Sequence, residues 1–365
     1  MTDVQEHRFP CTNCGADFRF DPGSDQLKCD HCGAEQEIAP PTPKPEIVEL
    51  DFHAALKGEL ADEETAEVRT VDCSSCGARY EFDPNTHADE CPFCATPVVT
   101  DTGTERQIKP KALLPFHLAE PQARAAMTDW LGALWFAPSG LQEYARKGRA
   151  MTGVYVPYWT YDADTKSRYT GERGTIYYVT QQVQVQRDGK TVTETRQVPK
   201  VRWTPAAGRV TRAFDDVLVL GSKSLPKSYT DALAPWDLSE LEPYQPEFLA
   251  GFQAEGYTVQ LDEGFQEARA FMDRMILRDV KFDIGGDKQR VHNVDTDVRD
   301  ITFKHILLPV WLAAYKYRGK SYRFVVNGRT GAVRGERPYS AVKIAVAVVA
   351  GLLVAAAIGY FVAQS

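Results

Sequence analysis

The sequence predicts a multi-domain chain: two small four-cysteine zinc ribbons, a central α+β domain built on a mostly antiparallel sheet, and one C-terminal transmembrane helix. Three observations predict it. All eight cysteines fall into two copies of one pattern, Cys-x2-Cys, fourteen residues, Cys-x2-Cys. At 43% hydrophobic and 25% charged the chain has an ordinary globular composition, and residues 104–338 carry alternating helix and strand patterns. An uncharged apolar stretch then runs from Ile344 to Ala363.

The first copy is Cys11, Cys14, Cys29 and Cys32, within residues 8–38; the second is Cys73, Cys76, Cys91 and Cys94, within residues 71–100. The match extends past the cysteines. Cys14-Gly-Ala-Asp-Phe-Arg-Phe-Asp-Pro22 aligns with Cys76-Gly-Ala-Arg-Tyr-Glu-Phe-Asp-Pro84, an internal duplication. A Cys-x2-Cys turn followed by glycine lets backbone amides point at the sulfurs, and two such turns supply four thiolates to a tetrahedral Zn2+. Each unit is too small to bury a sufficient core, so the metal must hold it folded.

Rival uses of the cysteines fit less well. Met1-Thr-Asp-Val-Gln-Glu-His7 has no apolar stretch of a signal peptide, so a reducing cytoplasm is expected and disulfides are not. Four Cys-x2-Cys pairs in matched couples do not read as a thioredoxin-like redox pair. Iron, as in rubredoxin, is the closest competitor, but the fourteen-residue gap is shorter than rubredoxins use, and zinc is preferred. With four cysteines and no open position, both sites are expected to be structural. His31 and His87 have no counterpart in the other copy and are taken as bystanders.

Charge argues against a polyanionic partner. The chain carries a net charge of -8. Residues 8–38 hold six acidic and three basic side chains, and residues 71–99 hold five and one. Nucleic-acid affinity comes mostly from Lys and Arg on phosphate. A nucleic-acid-binding protein reading through its ribbons is therefore the rival, not the leading expectation.

Residues 39–70 read as a Pro-rich and acidic linker. Ala39-Pro-Pro-Thr-Pro-Lys-Pro45 is a stiff spacer, and residues 46–70 set eight acidic side chains against two basic ones. The ribbons should be beads on a tether, with docking on the following domain left open for the second. In the central domain, periodicity predicts a helix over 121–136 and an amphipathic helix over 263–278, the latter with Phe265, Ala268, Met272, Met275 and Ile276 on one side. Residues 243–256 are expected to be partly helical. Strands are expected at 154–162, 169–185, 191–201, 217–220, 306–318 and 322–326, with Asp188-Gly-Lys190 as a hairpin turn and Asn327-Gly-Arg-Thr-Gly331 as a second turn. Val156-Pro-Tyr-Trp159 and Leu308-Pro-Val-Trp311 echo one another. Trp159 and Trp311 are expected as core residues in one sheet, in preference to an aromatic binding face.

The apolar stretch is twenty residues, about 30 Å as a helix, which is the thickness of a bilayer core. The span is placed at 342–363. Arg334, Arg337 and Lys343 precede the uncharged run Ile344–Ala363 and nothing basic follows, so the reading is a single-pass, tail-anchored protein of the cytoplasmic membrane with its N-terminal bulk in the cytoplasm. Ala347, Gly351, Ala355, Gly359 and Ala363 recur every four residues and offer a small-residue face for a homo-oligomer contact.

No catalytic pattern emerges. Gly189-Lys-Thr191 and Gly319-Lys-Ser321 lack the upstream glycine of a phosphate loop, since Gln184 and Ala314 stand there. No nucleophile elbow or His-Glu-x-x-His motif occurs, and every cysteine is committed to metal. His117, His292 and His305 stand singly. A non-enzymatic protein is expected; an unrecognised site at Trp159, Asp162, Trp203 and Trp311 is the third reading.

With the paired ribbons, Ile108-Lys-Pro-Lys-Ala-Leu-Leu-Pro-Phe116, Val154-Tyr-Val-Pro-Tyr-Trp-Thr-Tyr161, Phe324-Val-Val-Asn-Gly-Arg-Thr-Gly331 and the terminal span, the chain resembles a bacterial membrane-anchored tandem zinc-ribbon family across nearly its whole length. Members often carry the label primosomal protein N-prime (replication factor Y), superfamily II helicase, although this sequence lacks the ATPase motifs. The resemblance implies partners of the SPFH (flotillin-like) and phage-shock-protein-A-like kinds, and a scaffold role in envelope or membrane-stress assemblies.

Overall fold

Side chains alternate in and out of the core without interruption from Tyr161 to Gly171, the inward positions being Tyr161, Ala163, Thr165, Ser167, Tyr169 and Gly171. That period of two is the signature of a single strand with one buried face. It belongs to a strand of 36 residues, Thr152–Arg187. The computed structural model describes residues 9–40, 45–75, 77–81, 88–91, 96–99, 103–138, 141, 151–187, 190–317 and 320–364.

In chain order the strands are β1 (Phe18–Phe20), β2 (Gln26–Cys29), β3 (Glu35–Glu37), β4 (Leu50–Asp51), β5 (Thr65–Asp72), β6 (Arg79–Glu81), β7 (Ala88–Glu90), β8 (Pro97–Val99), β9 (Gly103–Ile108) and β10 (Ala112–Leu113). The larger domain continues with β11 (Thr152–Arg187), β12 (Lys190–Leu220), β13 (Glu242–Pro243), β14 (Gln253–Ala254), β15 (Lys288–Tyr317), β16 (Lys320–Asn327) and β17 (Val333–Gly335). Four helices matter here: α1 (Phe52–Lys57), α2 (Glu120–Ala133), α3 (Leu261–Ile284) and α4 (Ala341–Gln364).

The central sheet runs β12-β11-β15-β10-β13, with β14 on β11, β16 on β15, β17 on β16 and β4 on β15. Only β10 with β15 and β14 with β11 are parallel pairs among the described strands. β12 lies at the edge of the sheet, which is why it tolerates Pro199 and Pro205. β15 runs beside β11 from Thr152, opposite Leu312, to Gly174, opposite Lys288; beyond Gly174 only β11 and β12 continue, as a two-stranded arm.

Helix α3 lays its apolar stripe on this sheet. Ala268, Met272, Ile276, Val280 and Ile284 are buried against Trp159, Tyr161, Tyr169, Phe214 and Phe303. Gly264 makes the close approach possible, since a Cβ there would stand 2.5 Å from Tyr161 Oη. Tyr161 Oη donates to Leu261 O at 2.7 Å and Trp159 Nε1 to Val259 O at 2.9 Å, so both rings bury their polar atoms satisfied. At ~25 cal/mol per Å2, each such aromatic contributes up to about 4–6 kcal/mol of burial.

The tether expectation is corrected. The first cysteine unit packs on one face of the sheet, where Phe20 meets Phe248 at 5.2 Å, Phe20 N donates to Ala250 O and Gly23 N to Phe116 O. Val71, Cys73, Ala78 and Cys91 join Val154, Val156, Ile306 and Leu308 in a separate core cluster. The first unit clusters instead with Leu113, Tyr155, Leu307 and Trp311, whose positions alternate with those, so the two units clamp opposite faces. The segment between them is tied down as well. β4 pairs with Thr302 and Phe303, Asp51 caps α1 by accepting from Ala54 N at 2.6 Å, and β5 pairs with β9 over Thr65–Thr70.

Other expectations shift in detail. The strands expected at 154–162 and 169–185 are one strand, and that at 306–318 begins at Lys288. Residues 243–256 form only one short 3-10 turn, Pro246–Leu249, between short strands. The expected helices appear as α2 and a longer α3. Val156 pairs directly with Leu308, so the two echoing motifs are neighbours on antiparallel strands, and Trp159 and Trp311 are both core residues.

Candidate metal centre

The sequence Cys11-Thr-Asn-Cys14-Gly15-Ala16 closes into a tight turn because Gly15 takes φ +76°, a conformation that side chains disfavour. Gly15 N donates to Cys11 O at 2.8 Å, and Cys11 N to Ala16 O at 2.6 Å. Cys29 to Ala34 repeats this geometry, with Gly33 at φ +73°, Gly33 N to Cys29 O at 2.9 Å and Cys29 N to Ala34 O at 2.8 Å. Strands β1 and β2 bring the two turns together, Phe18 pairing with Cys29.

The four sulfurs of Cys11, Cys14, Cys29 and Cys32 lie within 4.8 Å of one another. Cys11 Sγ is 3.6 Å from Cys32 Sγ, and Cys14 Sγ is 3.5 Å from Cys29 Sγ. A disulfide needs sulfurs ~2.0 Å apart. Four thiolates ~2.3 Å from a tetrahedral ion stand about 3.8 Å from one another, close to the spacing found. Cys11 and Cys29 are buried, whereas Cys14 and Cys32 are exposed.

Local donors prepare part of the set for ionisation. The Ala34 amide, helped by Asn13 Nδ2 at 3.6 Å, holds the Cys32 thiol down at about 6. The Ala16 amide acts in the same direction on Cys14, but burial and the neighbouring thiols outweigh it and push that thiol up to about 12. A cation that replaces the shared protons relieves this crowding.

The second cysteine set is described in part. Gly77 at φ +73° donates to Cys73 O at 2.8 Å, Cys73 N to Ala78 O at 2.8 Å and Cys91 N to Thr96 O at 2.9 Å, the turn geometry of the first copy. Cys73 and Cys91 are buried like Cys11 and Cys29. Cys76, Cys94 and His87 lie outside the described residues.

A buried charge cluster, not anticipated from sequence, stands where the linker crosses the sheet. Lys304 is 6% exposed. Its Nζ lies 2.9 Å from Glu49 Oε1, 2.8 Å from Asp216 Oδ1 and 3.7 Å from Asp162 Oδ2. Burial alone would lower the lysine, but hydrogen bonds to Asp216 and Glu49 outweigh it and raise its pKa. Asp162 is pushed up to about 7 by burial and by Glu49, while Glu49, accepting from Asp162 and Thr302, is held at about 2. The cluster sits on a bulge: the β11 register shifts between Tyr161 and Ala163, and Asp216 takes φ 52°. Glu49, Asp162 and Asp215 are also close enough to share an ion, but the lysine ammonium already supplies a cation to Glu49 and Asp162. A single charged residue inside the run Ile301-Thr-Phe-Lys-His-Ile-Leu307 was the one sequence signal for it.

His305 is buried between Trp159 and Tyr257, with Nδ1 2.8 Å from Ile108 O. Burial holds it neutral, its pKa lowered to about 4. His31 is exposed, and His292 Nε2 lies 3.7 Å from Glu172 on the surface. Trp159, Asp162, Trp203 and Trp311 are not brought together: Trp159 lies under α3, Trp311 in the core cluster beside the first cysteine unit, and Trp203 opposite Gly174, beneath Arg290 at 4.0 Å.

These features define a class: a protein with a four-cysteine cluster suited to a metal near its N-terminus, a mostly-sheet central domain, and one C-terminal helix long and apolar enough to cross a membrane. The chain is 25% identical over 338 residues to Uncharacterized protein YdjG of Bacillus subtilis (strain 168), covering 92% of each chain. No family model and no solved structure matches.

Proposed function

We propose that this is a non-enzymatic, membrane-anchored adaptor that holds a protein partner at the cytoplasmic face of a membrane. One observation carries the reading. The 22-residue span Ala341–Val362 has a mean hydropathy of 2.5 and none of it is buried by the rest of the chain. An apolar surface of that length does not persist in water, and at ~1.5 Å per residue it matches a bilayer core. The segment after α2 is fastened to the start of this span, with Ser340 N donating to Phe136 O at 2.8 Å and Lys343 Nζ to Ala137 O at 2.9 Å.

In this reading the two cysteine sets are tandem structural zinc ribbons, each staking one face of the sheet. Zinc suits four thiolates with no open position, as iron would in a rubredoxin-like site, and metal analysis separates them. Gly351 and Gly359 have open space around them, which leaves the Ala347, Gly351, Ala355, Gly359 row available to a second helix in the bilayer. SPFH-type and phage-shock-protein-A-like proteins are the partner classes to examine first.

Membrane fractionation of cells tests the anchor. The full chain and its partner are expected in the membrane fraction, and both are expected to become soluble when residues 341–364 are deleted. A partner that stays on membranes with the deleted chain contradicts the adaptor role.

A further inference from the structure

Beyond Gly174 the sheet narrows to two strands, Thr175–Arg187 of β11 and Lys190–Arg202 of β12. At ~3.3 Å per residue this arm is about 43 Å long. Two-stranded ribbons are marginal by themselves, and this one has described side chains open on both faces, Tyr178 being 64% exposed.

Its edges differ. On β12 the outward-facing amides belong to odd-numbered residues, and Pro199 and Pro205 remove two of those donors. The outer edge of β15 near the arm carries Arg290, Asp295, Asp297 and Arg299, a charged border of the kind that resists strand addition. On β11 the donor side is fixed by Ile176 N, which donates to Asp287 Oδ2 at 2.7 Å just before β15 begins. The unbroken register with β12 then turns the amides of Tyr178, Thr180, Gln182, Gln184 and Gln186 to the same open side. Between Gly174 and Arg187 this edge has neither charge nor proline. Among the described residues it is the long sheet edge with neither form of protection.

The charge around it is basic on balance. In sequence, the two strands of the arm carry Arg187, Lys190, Arg196, Lys200 and Arg202 against Glu194, with Asp188 between them and Asp287 at the start of the open edge, in a chain whose net charge is -8. On the face that carries Tyr177, Val179 and Val183, the cross-strand partners are Lys200, Val198 and Glu194, with Arg196 opposite Gln181. A strand added to β11 would lie two strand spacings, about 10 Å, from these cations, within reach of long side chains and about one Debye length at 0.1 M salt.

We propose that the β11 edge from Tyr178 to Gln186 is a docking site for an extended acidic segment of a partner protein, which adds to the sheet as a strand where β15 leaves off. Backbone bonds along the edge would give affinity, and the β12 cations would select acidic side chains. A second copy of the arm is disfavoured because two arms of like charge would be brought together. This deepens the adaptor reading by naming the partner surface and rests on it.

The test uses the full chain in detergent and a labelled (Glu-Val)6 peptide, with (Lys-Val)6 and a short DNA duplex as comparators. Fluorescence anisotropy is expected to show (Glu-Val)6 binding and little (Lys-Val)6 binding. Hydrogen exchange at Tyr178, Thr180, Gln182 and Gln184 is expected to slow when the acidic peptide is bound. Gln182→Pro removes one outward donor without touching the β11–β12 ladder, and is expected to weaken binding at least about tenfold. Gln197→Pro, the same change on the opposite edge, is expected to leave it unaltered, which controls for folding of the arm. Lys200→Glu is expected to move preference toward (Lys-Val)6. No peptide binding, equal loss in both proline variants, or protection of the arm by DNA alone overturns the proposal. The anchor test, read by fractionation, stands or falls separately.

Discussion

Lys304→Met tests the buried charge cluster, and with it the docking of the Glu49 segment on the sheet. The ammonium meets Glu49 at 2.9 Å and Asp216 at 2.8 Å while 6% exposed. Removing one member of a buried ion group costs roughly 3–5 kcal/mol, because the others are left uncompensated. Glu49 and Asp216 retain 35% and 27% of their side-chain exposure, which screens them and lowers the expected cost to about 3 kcal/mol. For a domain of this size each kcal/mol moves Tm by ~2–4 °C, so a drop of about 6–12 °C is expected. Heat unfolding in detergent, followed by tryptophan fluorescence, reads it. The pH dependence gives a second check. Without the lysine the carboxylates repel, their folded pKa values rise above the unfolded ones, and the folded state binds more protons. Stability of the variant then falls as pH rises, so its deficit should be larger at pH 8 than at pH 5. A Tm change under about 2 °C, or a deficit that grows toward pH 5, refutes the reasoning.

Three further outcomes follow from the same geometry. Cys14→Ser should reduce metal bound by one ion per chain and speed hydrogen exchange across β1 and β2, while exchange in α3, which packs on the opposite end of the sheet from that centre, should change little; mass spectrometry reads both. Burial holds His305 at about 4, below the usual histidine value, so its contribution to stability is present above pH ~6.5 and is lost as pH falls toward 4, by about 3 kcal/mol in total; His305→Gln should remove that part of the pH dependence in denaturant melts. Gly264→Ala places a methyl 2.5 Å from Tyr161 Oη and should cost ~1–3 kcal/mol of stability by overpacking, seen as a lower midpoint of unfolding.

How far the sequence carried the fold varies by element, for physical reasons. The cysteine turns are legible because a four-thiol cluster needs a fixed local spacing, and the apolar helix because its length and composition are read directly from the chain. α3 shows its 3.6 period, and the hairpin returns where Asp188-Gly-Lys190 suggested. The long strands were underread: between Asp162 and Arg168 the inward residues are Ala163, Thr165 and Ser167, so the alternation persists while its hydrophobic amplitude vanishes. The acidic segment 46–70 looks like a solvated linker because its strongest partner is remote. Glu49 meets Lys304 across 255 residues of sequence, and no local pattern encodes that pairing. The open β11 edge was hidden for the same reason, since it depends on where β15 ends beside it.

The most direct measurement is affinity purification of the full chain from detergent-solubilised membranes, with metal analysis and protein identification on the same eluate. The account predicts two zinc ions per chain and a stoichiometric protein partner. Recovery of the chain from the soluble fraction, or an eluate rich in nucleic acid with no protein partner, contradicts it.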